Sequence, residues 1–531
     1  MFNSIRTLDI SIAFVGLILA WHLFRRTRRS TARFPPGPRG LPLIGNLLDM
    51  PSEKEWLTFA KWGEKYGTVP PSENMAIKYA HSILQGDITS ISILGQRMVV
   101  INSVQIAASL LDKKGLISSD RPFFAMSELI GWKNGLALMP YGARFRNFRR
   151  LAHQLFGSNM TMKPFLPMVE LGTHRFLKRV SAKPEGLSAH IRKTAGAVIL
   201  QISHGYTIQE ENDPFVNLAE EVMNQFSLAT VPSGFLVNLI PILRHIPEWF
   251  PGAGFKRTAR EWASTLNEFI ERPHNYVKQE MAAGKARLSL TSSHLGDGVS
   301  AEEECDIKWL AGALYAGGAD TTVASVYAFF KAMLLYPEVQ AKAQAEIDAV
   351  IGNDRLPRFD DRERLPYVNA LVLEVLRWHT VAPAGVPHCV TEDVVQSGYF
   401  IPKGSLIIAN IWKMLHDPTI YNEPFKFNPD RFIRTETKEP ELDPYKVAFG
   451  FGRRICPGRL LADASVFMSC AMVLAVFDIS KYSENGVVFE PDTEHTAGVV
   501  SHPTPFKCTI QARSRKALDL INEESLSWEM C

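Results

Sequence analysis

The residues best suited to chemistry lie at positions 449–458, FGFGRRICPG, where one cysteine, Cys456, is framed by Gly450, Gly452 and Gly458 with Arg454 two places before it. The run that follows, RLLADASVFMSCAMVLAVF, repeats apolar residues at Leu460, Leu461, Ala464, Phe467 and Met468, which is helical spacing. Pro457 is then expected at the first helical position, where its fixed φ suits the start and its missing N–H costs little. Cys456 would sit at a helix N-terminus, where free N–H groups and the helix dipole favour a thiolate. With no second Cys or His at close spacing it makes a poor zinc site. A single thiolate does suffice as an axial ligand to haem iron. The plainer alternative is a buried cysteine at the start of a core helix. A dinucleotide-binding reading of GFGRRI fails, because the third glycine of G-x-G-x-x-G is missing and no strand–turn–helix unit surrounds it.

Two further constellations carry chemistry. Residues 316–322, AGGADTT, lie within a long apolar helical pattern. Adjacent glycines there cost about 1 kcal/mol each relative to alanine, so a flat ligand close to the helix, or a helix crossing, must compensate. Asp320 beside Thr321 pairs an acid with a hydroxyl, which suits proton delivery. Farther on, Glu374 and Arg377 stand three apart on one predicted helix face, the spacing of a salt bridge.

The pattern Phe449-x-x-Gly452-x-Arg454-x-Cys456-x-Gly458 resembles the haem-binding signature of the cytochrome P-450 family, the haem-thiolate monooxygenases. The resemblance covers nearly the whole chain and is strongest to fungal microsomal members, some of them in secondary metabolism. It implies a mainly α fold with small β-sheets and a haem b held by Cys456 as metal ligand, with Phe449 in the same signature. It implies that Thr321 hydrogen-bonds dioxygen and that Asp320 relays protons to it. It assigns Arg454, Arg149 and His388 to the haem propionates; Arg149 belongs to an element that resembles Trp-x-x-x-Arg. Here Phe145 replaces the tryptophan and cannot donate a hydrogen bond. Arg146 and Arg150 read as a solvated helix face. Glu374 and Arg377 would join Arg431 in a structural triad. No flavin or nicotinamide module is evident, so electrons are expected from a separate NADPH–cytochrome P-450 reductase, with cytochrome b5 as a further donor. The expected reaction is hydroxylation or epoxidation of a hydrophobic terpenoid, steroid, polycyclic or aromatic compound, in secondary metabolism or xenobiotic oxidation. Two rival readings are a haem-thiolate isomerase or dehydratase that does not use dioxygen, and a non-enzymatic haem sensor or transport protein. Asp320 and Thr321 argue against both.

These groups need elements to position them. The chain has 531 residues, a net charge of +3 and six cysteines. That is ample for a large core, gives no bulk reason to expect nucleic acid, and shows no disulfide framework spacing. Residues 8–24, LDISIAFVGLILAWHLF, are apolar and followed at once by Arg25, Arg26, Arg28 and Arg29. This order predicts an uncleaved anchor in residues 1–30 with the rest of the chain cytoplasmic, hence a single-pass endoplasmic reticulum membrane protein. Residues 31–40 contain the stiff FPPGP hinge. Residues 41–531 then form the haem-thiolate monooxygenase domain. Within it, residues 87–102 read as a β-hairpin turning at GQR, and residues 306–335 and 337–350 as helices. Residues 68–86 read as an insertion, either a surface loop with a short helix or a retained intron. Residues 235–251 are apolar but punctuated by Pro241, Pro247 and Pro251. They are either a buried connector or, by the resemblance, a segment over the substrate channel that dips into the membrane. Asn159-Met160-Thr161 is a glycosylation sequon expected to go unused on the cytoplasmic side. The substrate pocket is expected from residues 120–140, 225–250, the face around Ala316, and 380–390.

Overall fold

The longest apolar pattern in the chain becomes its central helix. In the computed structural model, which describes residues 32–67, 87–230, 234–296 and 298–523, the longer helices are α1 (Glu55–Tyr66), α2 (Ala143–Phe156), α3 (Leu166–Ala182), α4 (Leu187–His204), α5 (Pro214–Thr230), α6 (Phe255–Ala282), α7 (Ala301–Leu335), α8 (Pro337–Val350), α9 (Pro366–Trp378), α10 (Arg459–Val476) and α11 (Arg515–Asn522). The expected anchor in residues 1–30 and the 68–86 insertion lie outside the described residues. α7 begins earlier than expected, at Ala301, because Ser300 and Glu303 form a capping box in which the Ser300 N–H donates to the Glu303 carboxylate at 3.0 Å. α8 spans the expected residues, with Pro337 in its first turn.

α7 and α10 are apolar on most of their circumference, the pattern of helices enclosed on all sides. α4 runs against α7, and α10 packs on α3, α7, α8 and α9. Among the described residues α10 is the one helix long and apolar enough to cross a membrane, but 67% of it is buried inside the molecule, which makes it a core helix.

The strands are β1 (Ile88–Ile93), β2 (Gln96–Ile101), β3 (His388–Cys389), β4 (Val394–Gln396), β5 (Tyr399–Ile401), β6 (Leu406–Ala409), β7 (Phe477–Lys481), β8 (Ser483–Glu484), β9 (Val487–Val488) and β10 (Cys508–Ala512). β1, β2, β6 and β3 make one sheet in that order, with β2 and β6 parallel and the other pairs antiparallel. The hairpin forms as expected, but its turn is Leu94-Gly95 rather than GQR. Both residues have positive φ, 48° and 85°, the requirement of a two-residue turn that matches strand twist. Gln96 and Arg97 therefore pair within β2. Val99, Ile101, Ile407 and Leu111 form a second core beneath this sheet.

The triad is assembled inside the molecule. Glu374 accepts from Arg377 Nε at 2.7 Å and from Arg431 Nε at 3.1 Å, and all three side chains are buried. Arg431 also donates to Glu441 at 2.6 Å, a fourth member that the sequence reading did not single out. The set ties α9 to the turn at Pro429–Phe432.

Candidate active site

Residues 449–458 form a loop closed by the Cys456 N–H, which donates to the Phe449 carbonyl at 2.9 Å. Gly450 and Gly452 both adopt positive φ, 76° and 56°. At Gly452 a Cβ would stand 2.1 Å from the Leu111 carbonyl oxygen, so two backbones meet there without room for a side chain. Gly450 instead lines the central cavity, and a Cβ on it would meet nothing within 4 Å. The helix after the loop starts later than expected. Ala462 N donates to Gly458 O at 2.9 Å, so Gly458 is the cap of α10 and Pro457 precedes it.

This placement changes the electrostatics of Cys456. Burial pushes its thiol above the ordinary cysteine value. The Gly458 N–H and the guanidinium groups of Arg149 and Arg459 pull it back only in part. The expectation that the helix start by itself favours a thiolate is not met, because the sulfur sits outside the helix in an apolar cavity. A cation bound to the sulfur would reverse the balance.

The cavity encloses about 420 Å³, within the usual range of a small-molecule site. Cys456 and Thr321 both line it, and none of its lining residues is acidic. The adjacent glycines of α7 have separate roles. Gly317 faces the cavity, where a Cβ would meet nothing within 4 Å, whereas a Cβ on Gly318 would stand 3.0 Å from Ile199 of α4. The helix crossing weighed from sequence is therefore found at Gly318, while Gly317 leaves open the space that a flat ligand would need. The Thr321 hydroxyl donates to Gly317 O at 2.7 Å and remains open to the cavity. Asp320 does not line this cavity. Its Oδ1 lies 3.1 Å from both Arg192 Nη1 and His502 Nε2. The pocket walls include Trp132, Leu136, Phe226, Ala316, Val381 and Val386, all within the expected stretches. Residues 235–250 contribute none of the lining, and Val499 and Val500 enter from a C-terminal loop that sequence reasoning did not flag.

At one end the cavity is cationic. Arg149 donates to Ile455 O at 2.6 Å, and His388 shares a 2.8 Å bond between Nδ1 and Ser118 O. Arg454 donates to Ser119 O and Met139 O, both at 2.7 Å, and its guanidinium lies 3.8 Å over the Phe145 ring. Phe145, which cannot replace the indole donor, supplies a cation–π platform instead. Phe449 also lines the cavity and stacks on Tyr445 at 5.2 Å. Arg121 joins the group, donating to Val386 O and Pro387 O at 2.7 and 2.9 Å. Nothing periodic marks Arg121 in the sequence; it is a lone arginine before a proline. Burial lowers all of these groups. Arg121 lies well below the ordinary arginine value, Arg454 falls to about 10 and His388 to about 3. Repulsion from Arg454 adds to the shifts of Arg121 and His388, and repulsion from Arg149 to that of Arg454. Asp120 offsets part of this for Arg121 and Arg454, and a further anion among the buried cations would offset more.

Comparison with known proteins decides the family. Residues 35–510 match the cytochrome P-450 family. The chain belongs to it. It is 48% identical to cytochrome P-450 monooxygenase 208 of Postia placenta, with 97% of each chain covered. It is 45% identical to cytochrome P-450 monooxygenase claR of Ampulloclitocybe clavipes, over 98% of this chain and 93% of that one. Identity to the monooxygenase ppsD of Aspergillus oryzae is 38%, over 96% and 95%. The protein is thus a cytochrome P-450 monooxygenase, an oxidoreductase, and the family implies a haem with a cysteine thiolate on its iron.

The residues present fit that group. Among the described residues no cluster of three or more His, Cys, Asp or Glu could hold a bare metal, so Cys456 suits an iron whose other ligands come from a macrocycle. Gly450 and Gly317 leave open the volume that side chains would fill. Arg121, Arg149 and Arg454 would receive carboxylate groups.

Proposed function

We propose that this cytochrome P-450 uses Cys456, Thr321 and Asp320 to insert one atom of dioxygen into a neutral, hydrophobic molecule, with electrons from a membrane-bound NADPH–cytochrome P-450 reductase. The observation that carries the reading is one apolar cavity bounded by the Cys456 sulfur, the Thr321 hydroxyl and a cluster of arginines with no acid among its lining residues. Haem, when bound, supplies the iron chemistry that activates dioxygen, and a thiolate ligand favours O–O cleavage. Arg149, Arg454, Arg121 and His388 would hold the propionates, and Phe449 would pack against the group with its loop. Thr321 would turn its one hydroxyl proton from Gly317 O toward the cavity, and Asp320 would replenish it. The apolar walls exclude water and select substrates without charge. A terpenoid, steroid, polycyclic or other aromatic compound suits them.

The membrane setting has separate support. Leu236, Ile242 and Trp249 are 69%, 73% and 81% exposed, so the 235–251 stretch is no buried connector. Together with the arginine-flanked apolar N-terminus, this patch suits a protein held on the cytoplasmic face of the endoplasmic reticulum. Loss of all membrane association on deleting residues 1–30 would remove the second contact from this reading.

The test of the site is spectroscopic. The reduced carbon monoxide complex should show the red-shifted Soret band of thiolate ligation, and Cys456→His should convert it to that of histidine ligation. A wild-type band already typical of histidine would refute the assignment. Turnover with reductase, NADPH and a panel of terpenoids, steroids and polycyclic aromatics then identifies the substrate class.

A further inference from the structure

Asp320 is held by two partners that lie outside every motif read from the sequence. Arg192 of α4 donates to Asp320 Oδ1 at 3.1 Å and also reaches Glu220 of α5 at 3.7 Å. A small cavity of about 10 Å³, room for one water, lies among Arg192, Glu220, Tyr315 and Asp320. The second partner, His502 Nε2, approaches Oδ1 at 3.1 Å. His502 belongs to the loop of residues 492–504, whose Val499 and Val500 face the main cavity.

Bonds that do not involve its imidazole fix the His502 backbone. Its N–H donates to Thr496 Oγ1 at 2.9 Å, its carbonyl accepts from Thr496 N at 2.8 Å, and the neighbouring Ser501 N donates to Val381 O at 2.8 Å. The ring is therefore not needed to shape the loop, and 21% of the side chain is accessible to solvent. Burial raises the Asp320 carboxyl, but His502 and Arg192 outweigh it and the net shift is downward. Asp320 is thus ionised at neutral pH and must receive a proton before it can pass one on. Arg192 cannot release one. An imidazolium can, through its Nε2–H.

We propose that His502 is the positioning residue that feeds protons to Asp320, with Arg192 orienting the carboxylate. The inference rests on the reading of Asp320 as the proton relay. In the step, the Nε2–H bond of the imidazolium breaks, the proton passes to Asp320 Oδ1, and the neutral ring regains a proton from solvent water; no electrons move. Each monooxygenation takes up two protons with two electrons and one dioxygen, so this supply can limit turnover. The other charged or titratable groups around His502 are Asp320, Arg192 with its Glu220, His379 at the end of α9, and Lys331, which pairs with Asp492 on the same loop. His379 and Lys331 are fully buried, whereas 21% of the His502 side chain is open to solvent.

The experiment uses the full-length holoenzyme with reductase and NADPH, and compares wild type, His502→Gln, Asp320→Asn and the double variant. Glutamine keeps a hydrogen-bond donor but does not titrate. All four should retain the thiolate Soret band of the carbon monoxide complex and the substrate-induced spin shift. Wild-type turnover should fall as pH rises through the imidazole range. His502→Gln should lower it roughly threefold or more, abolish that limb and enlarge the solvent deuterium effect. Asp320→Asn should lower turnover about tenfold or more, and the double variant should be no slower than Asp320→Asn. As a readout independent of turnover, the thermal midpoints of the two single variants should combine less than additively. A slow Asp320→Asn beside a His502→Gln with wild-type rate, pH profile and isotope effect would overturn this inference alone. An unimpaired Asp320→Asn would overturn the relay reading as well.

Discussion

At Arg454 one side chain meets several demands at once: two carbonyls at 2.7 Å, a third, Leu136 O, at 3.4 Å, and the Phe145 ring at 3.8 Å. The planar guanidinium satisfies them together, and burial lowers its pKa only to about 10, so it stays cationic at neutral pH. Lysine keeps the charge but not the fork. Arg454→Lys should therefore leave carbonyls unpaired and cost about 1–3 kcal/mol, seen as a lower thermal midpoint and less haem retained per protein. Full retention with an unchanged midpoint would show that charge alone matters there. Arg454 was legible because it belongs to a dense local motif. Arg121 and Glu441 do comparable work from isolated positions, and single-sequence reading has no handle on a residue whose partners are brought to it by folding. Asp320 shows the opposite limit. That an acid stands beside a hydroxyl is plain in the sequence, but its partners Arg192 and His502, and its place off the cavity wall, come only with the fold.

Among the elements, α7 carries Gly312, Gly317 and Gly318 in its interior, and its position against the cavity makes two of them consequential. Gly317→Ala adds a methyl group that meets no protein atom and improves helix propensity. It should raise the stability of the ligand-free protein by about 0.5–1 kcal/mol while impairing haem or substrate binding, because the methyl enters the cavity. Gly318→Ala places its methyl 3.0 Å from Ile199 and should destabilise, with Ile199→Val restoring part of the loss. Paired thermal and substrate-binding titrations check both; a Gly318→Ala as stable as wild type would show that α4 yields without cost. The helix itself and α8 were readable from apolar runs. The start of α7 was missed because its Ser300–Glu303 capping box lies before the apolar pattern begins. The start of α10 was placed two residues early because proline preference stood in for the hydrogen bond that defines the cap. The hairpin turn was misplaced because Leu94 is an uncommon residue at positive φ.

For the whole molecule, burial has a consequence that no single motif announces. Four histidines in separate regions are held neutral: His204 at the end of α4, His388 in β3, His416 stacked on Trp412, and His495 beside His379. Burial is the largest cause in each case, lowering the pKa from 6.5 to about 3 for His204, His388 and His416 and to about 4 for His495. Since each folded value lies below the unfolded one, the unfolded chain binds more protons between them. Stability is therefore whole above pH 6.5 and is lost as the pH falls toward the folded values. Each such group contributes at most about 1.4 kcal/mol per pH unit, so these four add up to about 5 kcal/mol per unit. The urea midpoint should be flat above neutrality and fall steeply below it. His416 tests the account, because its Nδ1 shares a 2.8 Å bond with Trp412 O that an asparagine amide can keep without titrating. His416→Asn should reduce the slope below neutrality by about one proton's worth, or about 1.4 kcal/mol per unit, with the midpoint at alkaline pH little changed. An unaltered slope would show that His416 takes up no proton on unfolding, and that the acid sensitivity of the molecule comes from its other buried groups.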